Sequence, residues 1–268
     1  MRSGERAPGL YRALHAVLPA LLNAVWRPHV DGREHIPAAG PAILAANHLS
    51  FLDSVFLPAA LDRPLYYLGK SDYFDGWRRH FFENVGVMPV ARQGGDAGEA
   101  SLRRGEEILR GGRLLGIYPE GTRSPDGRLY RGKTGLVRLA LRTGAPVIPV
   151  GMIGTDRVLP TGAKVPRVHK VVIKVGEHLD LAARYGRDPD PGQRGQRPSA
   201  GSGSLEDDRF VLRSATDELM YELMMLSGQS YVDEYAAKVK SGEVSIGSGD
   251  LAELGGLLED DRPLQQAS

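Results

Sequence analysis

Short apolar runs alternate with helical segments along this chain, and that alternation limits the fold more than any other feature. Strands are predicted at residues 42–46, 64–68, 85–90, 113–118, 146–150 and 169–175. Helical periodicity lies between several of them, at residues 75–83, 97–110 and 133–142. This alternation predicts an α/β fold, with a mixed, largely parallel sheet flanked by helices. Such sheets bind ligands at the carboxyl ends of their strands, so we expect a site there.

The composition is that of a globular protein and excludes several kinds of chemistry. The length of 268 residues suits one large domain or one domain with appendages, and 41% of the residues are apolar and 25% charged. A formal net charge of +1 selects no partner by itself, and we predict no nucleic-acid partner. The chain has no Cys, which excludes disulfides, thiolate nucleophiles and thiolate metal sites.

Composition and periodicity divide the chain into segments. They are an N-terminal amphipathic or interfacial helix at residues 1–30, a core at 31–184, a flexible linker at 185–208, a helical segment at 209–241 and a poorly ordered tail at 242–268. The apolar run within residues 10–30 is interrupted by Arg12, His15 and Pro19, so it is too short for a membrane span. It predicts either a helix in the membrane interface, with Trp26 at the boundary, or an amphipathic helix packed on the domain.

The first candidate site follows the strand at residues 42–46, where Asn47-His48 is followed by Asp53. Ser50 can cap the next helix, with Asp53 as the acidic partner of a capping box, so His48 lies in the preceding turn. On one regular helix, residues five positions apart would point roughly 140° apart, whereas the turn lets the imidazole reach the carboxylate. A histidine held in this way has a fixed tautomer and can take a proton from a hydroxyl or thiol. The alternative is a capping aspartate beside a structural histidine.

The second candidate site follows the strand at residues 113–118. Its loop carries a carboxylate, a glycine, a hydroxyl and a guanidinium, which are Glu120, Gly121, Thr122 and Arg123. An arginine can hold a phosphate through two parallel hydrogen bonds, and the hydroxyl or backbone N–H groups can complete the cradle. Further positive charges follow in the chain at Arg128, Arg131 and Lys133. The alternative is a solvated basic loop.

Together these stretches resemble the sequence motifs of the glycerolipid acyltransferases, the family of 1-acylglycerol-3-phosphate acyltransferases. Residues 47–53 are similar to the first motif and residues 118–124 to the third, with Tyr118 where the family usually has Phe. Residues 86–92 have the spacing of the second motif but depart from it at Pro89 and Ala91. Residues 147–150 resemble the fourth motif, and the resemblance covers roughly residues 26–176.

The resemblance implies a glycerolipid acyltransferase fold and a role for each matched residue. The general base would be His48, oriented by Asp53. The acceptor phosphate would be bound by Lys70, Arg92 and Arg123, in a site shaped by Glu120, Gly121 and Thr122. The acyl-donor side would include Pro149. Backbone N–H groups near the histidine turn would bind the oxyanion. The co-substrate would be acyl-CoA or acyl-carrier-protein, with no cofactor and no metal.

The implied reaction moves a fatty acyl group to the free hydroxyl of a lysophospholipid, with 1-acylglycerol-3-phosphate as the first choice. The chain would lie peripherally or monotopically on the cytoplasmic face of the cell membrane, because acceptor and product both carry acyl chains. Other phospholipid-type acceptors stay open because of Pro89 and Ala91. A thioesterase in which His48 activates water, and a non-catalytic lipid-binding protein of the same fold, are the alternative functions.

Overall fold

A computed structural model of the chain describes residues 9–70, 87–90, 97–185 and 209–245. Its strands are β1 (His29–Asp31), β2 (Ala42–Ala46), β3 (Leu65–Lys70), β4 (Val87–Val90), β5 (Leu114–Ile117), β6 (Leu129–Tyr130), β7 (Val147–Ile153), β8 (Val172–Val175) and β9 (Tyr231–Val232). Its helices are α1 (Gly9–Val25), α2 (Asp53–Ala59), α3 (Ala97–Arg110), α4 (Gly135–Thr143), α5 (Thr155–Val158), α6 (Leu181–Tyr185), α7 (Arg209–Ser227) and α8 (Ala236–Ser241). The α/β fold predicted from the sequence is therefore confirmed.

Within these residues, seven strands form one sheet in the order β1-β8-β7-β2-β5-β3-β4. Neighbouring strands are parallel except for β7 and β8, which are antiparallel. Strands β7, β2, β5, β3 and β4 therefore run in one direction, and their carboxyl ends share one edge of the sheet. We refer to this edge as the carboxyl edge.

Strand β2 is central and divides two buried cores. Ile43 and Ala45 face the core made with helices α3, α4, α6 and α7, whereas Ala42, Leu44 and Ala46 face the core made with α1, α2 and α5. Every residue of β2 is buried, which is why its sequence is a continuous apolar run rather than an alternating one. Burial of each large aliphatic side chain stabilises the sheet by about 1.5–3 kcal/mol.

The N-terminal segment is shorter as a helix than predicted. Helix α1 ends at Val25, and β1 follows at His29–Asp31, where the sequence predicted one continuous segment to residue 30. The chain turns because Arg27 has φ 45° and Pro28 lacks an N–H group, and neither continues a helix. Among the helices in the described ranges, none has the length and apolar character needed to cross a bilayer.

Helix α1 packs on the domain with one side and leaves apolar side chains exposed on another. One side packs on the domain, where Leu22 is buried and Trp26 meets Phe56 edge to face at 5.9 Å. Val17, Leu21 and Val25 are exposed. They recur every four residues and so form an apolar stripe along the helix, which we refer to as the α1 stripe.

The predicted helical segment at residues 209–241 contains two helices, α7 and α8, with a short strand between them. Gly228 adopts φ 71° and its N–H bonds to the carbonyl of Met224, which ends α7 with a left-handed cap. Strand β9 follows and pairs with β6 before α8 begins at Ala236. The predicted linker at 185–208, apart from Tyr185, the predicted helix at 75–83 and the predicted tail from residue 246 onward lie outside the described residues.

Candidate active site

The carboxyl edge holds His48 and Asp53 in direct contact. His48 Nδ1 lies 2.9 Å from Asp53 Oδ2. Asp53 is fully buried, and the same oxygen accepts hydrogen bonds from the N–H groups of Leu49 at 2.7 Å and Ser50 at 2.8 Å. Asp53 Oδ1 accepts from the Thr155 hydroxyl. The carboxylate is therefore held by four donors, and Nδ1 is protonated because it can only donate to this oxygen.

The local sequence explains how this contact forms, with one difference from the prediction. Asp53 accepts from the Ser50 N–H, as a capping box requires, but helix α2 begins at Asp53 and its N-cap residue Leu52 makes no side-chain cap. The Ser50 hydroxyl instead donates to the carbonyl of Leu159 at 2.9 Å. Thus hydrogen bonds of Ser50 join the turn both to helix α2 and to the segment after α5.

Three backbone N–H groups of the histidine turn bind carboxylates. The N–H groups of Leu49 and Ser50 donate to Asp53, and the N–H of His48 donates to Glu120 Oε1 at 3.0 Å. All three are used to hold carboxylates. Other N–H groups near the turn would have to bind an oxyanion, because each of these three already has a carboxylate acceptor.

The imidazole of His48 lies flat against Tyr118. The ring centroids are 3.9 Å apart with an interplanar angle of 10°, and Tyr67 continues the stack with a centroid 5.7 Å from that of Tyr118. The Tyr118 hydroxyl lies 2.9 Å from Ser54 Oγ, and burial raises the pKa of Tyr118 well above its usual value. Gly116 makes room for this stack, since a Cβ there would lie 2.4 Å from the Tyr67 ring. The strand pattern gave no signal for this stacking role.

Glu120 is a buried connection between three segments. Its side chain is 1% exposed, and its two oxygens accept from the N–H of His48 and the N–H of Tyr130, both at 3.0 Å. In the same loop the N–H of Ser124 donates to the carbonyl of His48 at 2.7 Å. The carboxylate therefore joins the end of β2 to β6 and fixes the backbone of His48.

Burial makes Glu120 a source of pH-dependent stability. Desolvation is the largest effect and raises the pKa of Glu120 to about 7. The hydrogen bonds from the N–H groups of His48 and Tyr130 lower this pKa. The nearby charge of Asp53 raises it, and the charge of Lys240 lowers it. Because the folded pKa exceeds the usual 4.5, the folded state binds the proton more tightly than the unfolded state. The stabilisation from this group is present below about pH 4.5 and is lost as the pH rises to about 7, a change on the order of 3 kcal/mol.

We expect Glu120→Gln to remove this contribution. Urea unfolding of both proteins between pH 4.5 and 8 should show the wild-type free energy of unfolding falling more steeply with pH than that of the variant. The amide can accept from one N–H group but its NH₂ faces the other donor, so near pH 4.5 the variant should be about 1–3 kcal/mol less stable than the wild type. This difference in the free energy of unfolding should disappear or reverse by pH 8. Parallel curves for the two proteins would contradict the prediction.

The loop after Glu120 gathers positive charge from distant parts of the chain. Gly121 has φ 72°. An ideal Cβ at this position would lie 3.0 Å from Lys133 Nζ, so the lysine side chain packs directly against the glycine. The ammonium of Lys240 donates to the Thr122 hydroxyl at 3.0 Å and to the carbonyl of Arg123. The Arg123 side chain is exposed. Sequence reasoning missed Lys240, because 117 residues separate it from Arg123.

Three other predicted site residues have different positions. Lys70 is the last residue of β3 and so reaches the carboxyl edge, but its side chain is outside the described part of the structure. Arg92 lies outside the described residues. Pro149 is buried in the middle of β7, opposite Ala45, and its carbonyl accepts from the N–H of Gly176 at 2.9 Å. The structure thus brings His48, Asp53 and residues 120–123 to one edge and places Pro149 inside the sheet.

Asn47 and Gln229 are structural supports of the site that sequence reasoning missed. Asn47 Oδ1 accepts from the N–H of Met152 at 2.6 Å, and Asn47 Nδ2 donates to the carbonyl of the same residue at 2.9 Å, so the side chain extends the pairing of β2 with β7. Asn47 Nδ2 also donates to Gln229 Oε1 at 2.7 Å, and Gln229 Nε2 donates to the carbonyl of Gly127 at 2.6 Å. The residue before His48 is therefore fixed by segments 105 and 182 residues away.

The fold and the site define an α/β protein that carries a histidine–carboxylate pair at the carboxyl edge of its sheet. A sequence model of the Acyltransferase family matches residues 27–153, which include both members of the pair. The chain is 33% identical over 144 residues to a chloroplastic 1-acyl-sn-glycerol-3-phosphate acyltransferase, LPAT1, of Arabidopsis thaliana. It is 27% identical over 176 residues to the 1-acyl-sn-glycerol-3-phosphate acyltransferase of Bacillus subtilis. Over this part of its length the chain is therefore similar to the 1-acyl-sn-glycerol-3-phosphate acyltransferases.

The extent of these matches differs between relatives. The match to the Arabidopsis protein covers 52% of this chain but 39% of that protein, and the match to the Bacillus protein covers 65% of this chain and 84% of that protein. Among solved structures, the 1-acyl-sn-glycerophosphate acyltransferase PlsC of Thermotoga maritima superposes with a TM-score of 0.56 at 22% identity, over 83% of this chain and 82% of that one. That structure supports the fold, and the C-terminal supports Gln229 and Lys240 lie outside the range of the family model.

Proposed function

We propose that the protein transfers a fatty acyl group from acyl-CoA or acyl-carrier-protein to the free hydroxyl of a lysophospholipid, with 1-acylglycerol-3-phosphate as acceptor and phosphatidate as product. The observation that carries the proposal is the contact between His48 Nδ1 and Asp53 Oδ2 at 2.9 Å. The names of the Arabidopsis and Bacillus relatives support this choice of acceptor. The match to the Acyltransferase family model supports acyl transfer as the reaction.

The proposed mechanism uses His48 as the general base. Because Nδ1 donates to Asp53, Nε2 carries the lone pair and takes the proton from the acceptor hydroxyl as its oxygen attacks the thioester carbonyl. Asp53 stabilises the imidazolium that forms. The tetrahedral intermediate then collapses, the carbon–sulfur bond breaks, and the imidazolium returns its proton to the leaving thiolate. The products are an ester and a free thiol, and the enzyme needs no nucleophile of its own.

The acceptor phosphate is assigned to the loop of residues 120–123. Arg123 offers an exposed guanidinium, and Lys240 and Lys133 add positive charge against the backbone of the same loop. The proposed role of Glu120 is to hold the backbone around this loop rather than to contact a ligand, since both of its oxygens accept hydrogen bonds from backbone N–H groups. Lys70 and Arg92 complete the proposed set from neighbouring strand ends.

We expect Arg123→Ala to raise KM for lysophosphatidate by about 10- to 100-fold with a much smaller change in kcat, because a charge-assisted pair with the phosphate is lost. Arg123→Lys should give an intermediate KM, since it keeps the charge but loses the two parallel hydrogen bonds. KM for the acyl donor provides the internal control. A neutral monoacylglycerol acceptor should be used equally well by wild type and variant, and an equal loss on both acceptors would contradict the phosphate role.

The protein is proposed to work while bound peripherally or monotopically to the cytoplasmic face of the membrane. Acceptor and product both carry acyl chains, and the α1 stripe presents Val17, Leu21 and Val25 to the outside. Failure of the wild-type chain to float with lipid vesicles would contradict this placement.

The decisive test of the reaction is thiol release from an acyl-CoA, measured with and without lysophosphatidate. Release that depends on the acceptor, with phosphatidate as the lipid product, is the expected result. Release without an acceptor, together with free fatty acid, would instead identify a thioesterase. Absence of release with acyl-CoA and with acyl-carrier-protein, across several lysophospholipids that the protein binds, would identify a lipid-binding protein.

A further inference from the structure

The segment between α5 and the end of β8 has an unusual charge pattern. Residues 159–175 contain four Lys and Arg and no Asp or Glu, in a chain whose formal net charge is +1. Lys174 lies opposite Asp31 in the pairing of β8 with β1. Lys164, Arg167 and Lys170 are exposed and lie in the connecting loop, residues 159–170, which we refer to as the docking loop.

The docking loop presents apolar side chains among these cations. Val165 is 74% exposed and Val168 is 77% exposed. The loop is closed at its base, because the N–H of Arg167 donates to the carbonyl of Val158 at 2.7 Å. Exposed β-branched side chains on a closed loop lose little conformational freedom when they enter an apolar phase. The loop is therefore tied together at residues 158 and 167, and it exposes two valine side chains next to its three cations.

The docking loop lies on the same face of the sheet as helix α1. Val158 and Val171 flank the loop and belong to the core that contains Leu22 of α1 and Phe56 of α2. At the end of α1, Trp26 Nε1 donates to the carbonyl of Arg167 at 2.8 Å. The loop is thus attached to the helix that carries the α1 stripe.

The docking loop also begins beside the histidine–carboxylate pair. The carbonyl of Leu159 accepts from the Ser50 hydroxyl, and Ser50 in turn donates its N–H to Asp53. Phe51, the next residue, is exposed. A surface that contacts the docking loop is therefore close to the turn that holds His48 and Asp53.

We propose that the docking loop binds an anionic lipid bilayer, with Val165 and Val168 in the interface and Lys164, Arg167 and Lys170 against the lipid phosphates. The proposal rests on the proposed function, since it identifies where an enzyme acting on lipids meets its substrate's bilayer. A bilayer fits better than a protein partner because the loop exposes two isolated apolar side chains next to three cations. The α1 stripe supplies the second contact with the same surface.

The test is flotation of the full chain with vesicles of phosphatidylcholine containing 30% phosphatidylglycerol, and with phosphatidylcholine alone. The triple variant Lys164→Gln, Arg167→Gln, Lys170→Gln should lose about 100-fold in partition coefficient on the anionic vesicles, because each cation near such a surface contributes about a factor of five. On neutral vesicles it should match the wild type. Val165→Ser with Val168→Ser should lose affinity for both kinds of vesicle, because the lost contact is apolar.

A matched control is available on the opposite face of the sheet. Helix α3 packs in the other core and carries the exposed Arg103, Arg104 and Arg110, so their replacement by Gln gives the same change of net charge. If this control loses as much affinity as the docking-loop variant, or if the docking-loop variant floats like the wild type, the proposal is overturned. Equal binding of the wild type to neutral and anionic vesicles would overturn it as well.

Activity in solution separates this proposal from the proposed function. All the variants should turn over a short-chain, monomeric lysophosphatidate with an acyl-CoA at the wild-type rate, because none of the changed residues belongs to the site. Loss of vesicle binding with retained solution activity supports both proposals. Loop-dependent vesicle binding without acyl transfer in any sample would support the docking loop and contradict the proposed function.

Discussion

His48→Ala is expected to lower kcat for acceptor-dependent thiol release by about 10²- to 10⁴-fold, the usual contribution of a positioned general base. The imidazole is the group whose free nitrogen meets the acceptor hydroxyl, since its other nitrogen is bound to Asp53. KM for the donor should change little, because the histidine side chain is only 16% exposed and is surrounded by Asp53 and Tyr118. Stopped assays of thiol and phosphatidate, in the presence of excess lysophosphatidate, measure the effect.

The fold must survive this substitution for the result to concern catalysis. His48 contributes its backbone N–H and carbonyl to Glu120 and Ser124, and Ala keeps both bonds. His178 provides a matched control, since it is exposed and precedes Leu179, which pairs with Val147 at the start of β7, the opposite edge of the sheet. His178→Ala should retain full activity. A His48→Ala protein that is folded and retains more than about a tenth of the wild-type kcat would refute the general-base assignment.

Partial rescue by added imidazole is a further expectation for His48→Ala. The substitution leaves a space lined by the Tyr118 ring on one side and by the buried Asp53 oxygen on another. Free imidazole can stack on the first and donate to the second, so it can occupy the position of the lost side chain. A thioesterase would show rescue of acceptor-independent release instead, which distinguishes the two chemistries with one protein.

The sequence predicted the parts of this site that depend on local structure. Strand β2 matches its predicted bounds because a fully buried apolar run ends in polar residues, and His48 and Asp53 meet because a turn separates them by only five positions. Helix α3 also matches its predicted bounds, since its periodicity ends in a glycine pair. Each of these features depends on side chains within a few residues of one another.

The features that sequence reasoning missed depend on contacts between distant segments. Whether Glu120 faces a ligand or the backbone is decided by the N–H groups of His48 and Tyr130. The pairing of β6 with β9, which places the C-terminal segment beside this loop, involves strands of two residues that carry no periodic signal. Lys240 reaches Thr122 only because of that pairing and the cap at Gly228. No pattern within a window of a dozen residues contains this information.

Asp53→Asn is expected to lower kcat by about 10²-fold, the usual effect of removing one preorganised charge, while the protein stays folded. Asp53 Oδ2 accepts from His48 and from two backbone N–H groups, so the amide oxygen of Asn must take this position. The amide NH₂ then faces Thr155, whose hydroxyl can rotate to accept. The histidine keeps its tautomer, and the variant loses only the negative charge that stabilises the imidazolium.

Asp53→Ala provides the comparison that separates charge from structure. It leaves the imidazole N–H, two backbone N–H groups and a hydroxyl without their acceptor in a buried turn, so the free energy of unfolding should fall by on the order of 3–5 kcal/mol. For Asp53→Asn the fall should be about 1–2 kcal/mol, the difference between charged and neutral acceptors. Urea unfolding and kcat on the three proteins give both quantities. An Asp53→Asn enzyme with wild-type kcat would show that the carboxylate only holds the turn, because its hydrogen bonds are kept and its charge is not.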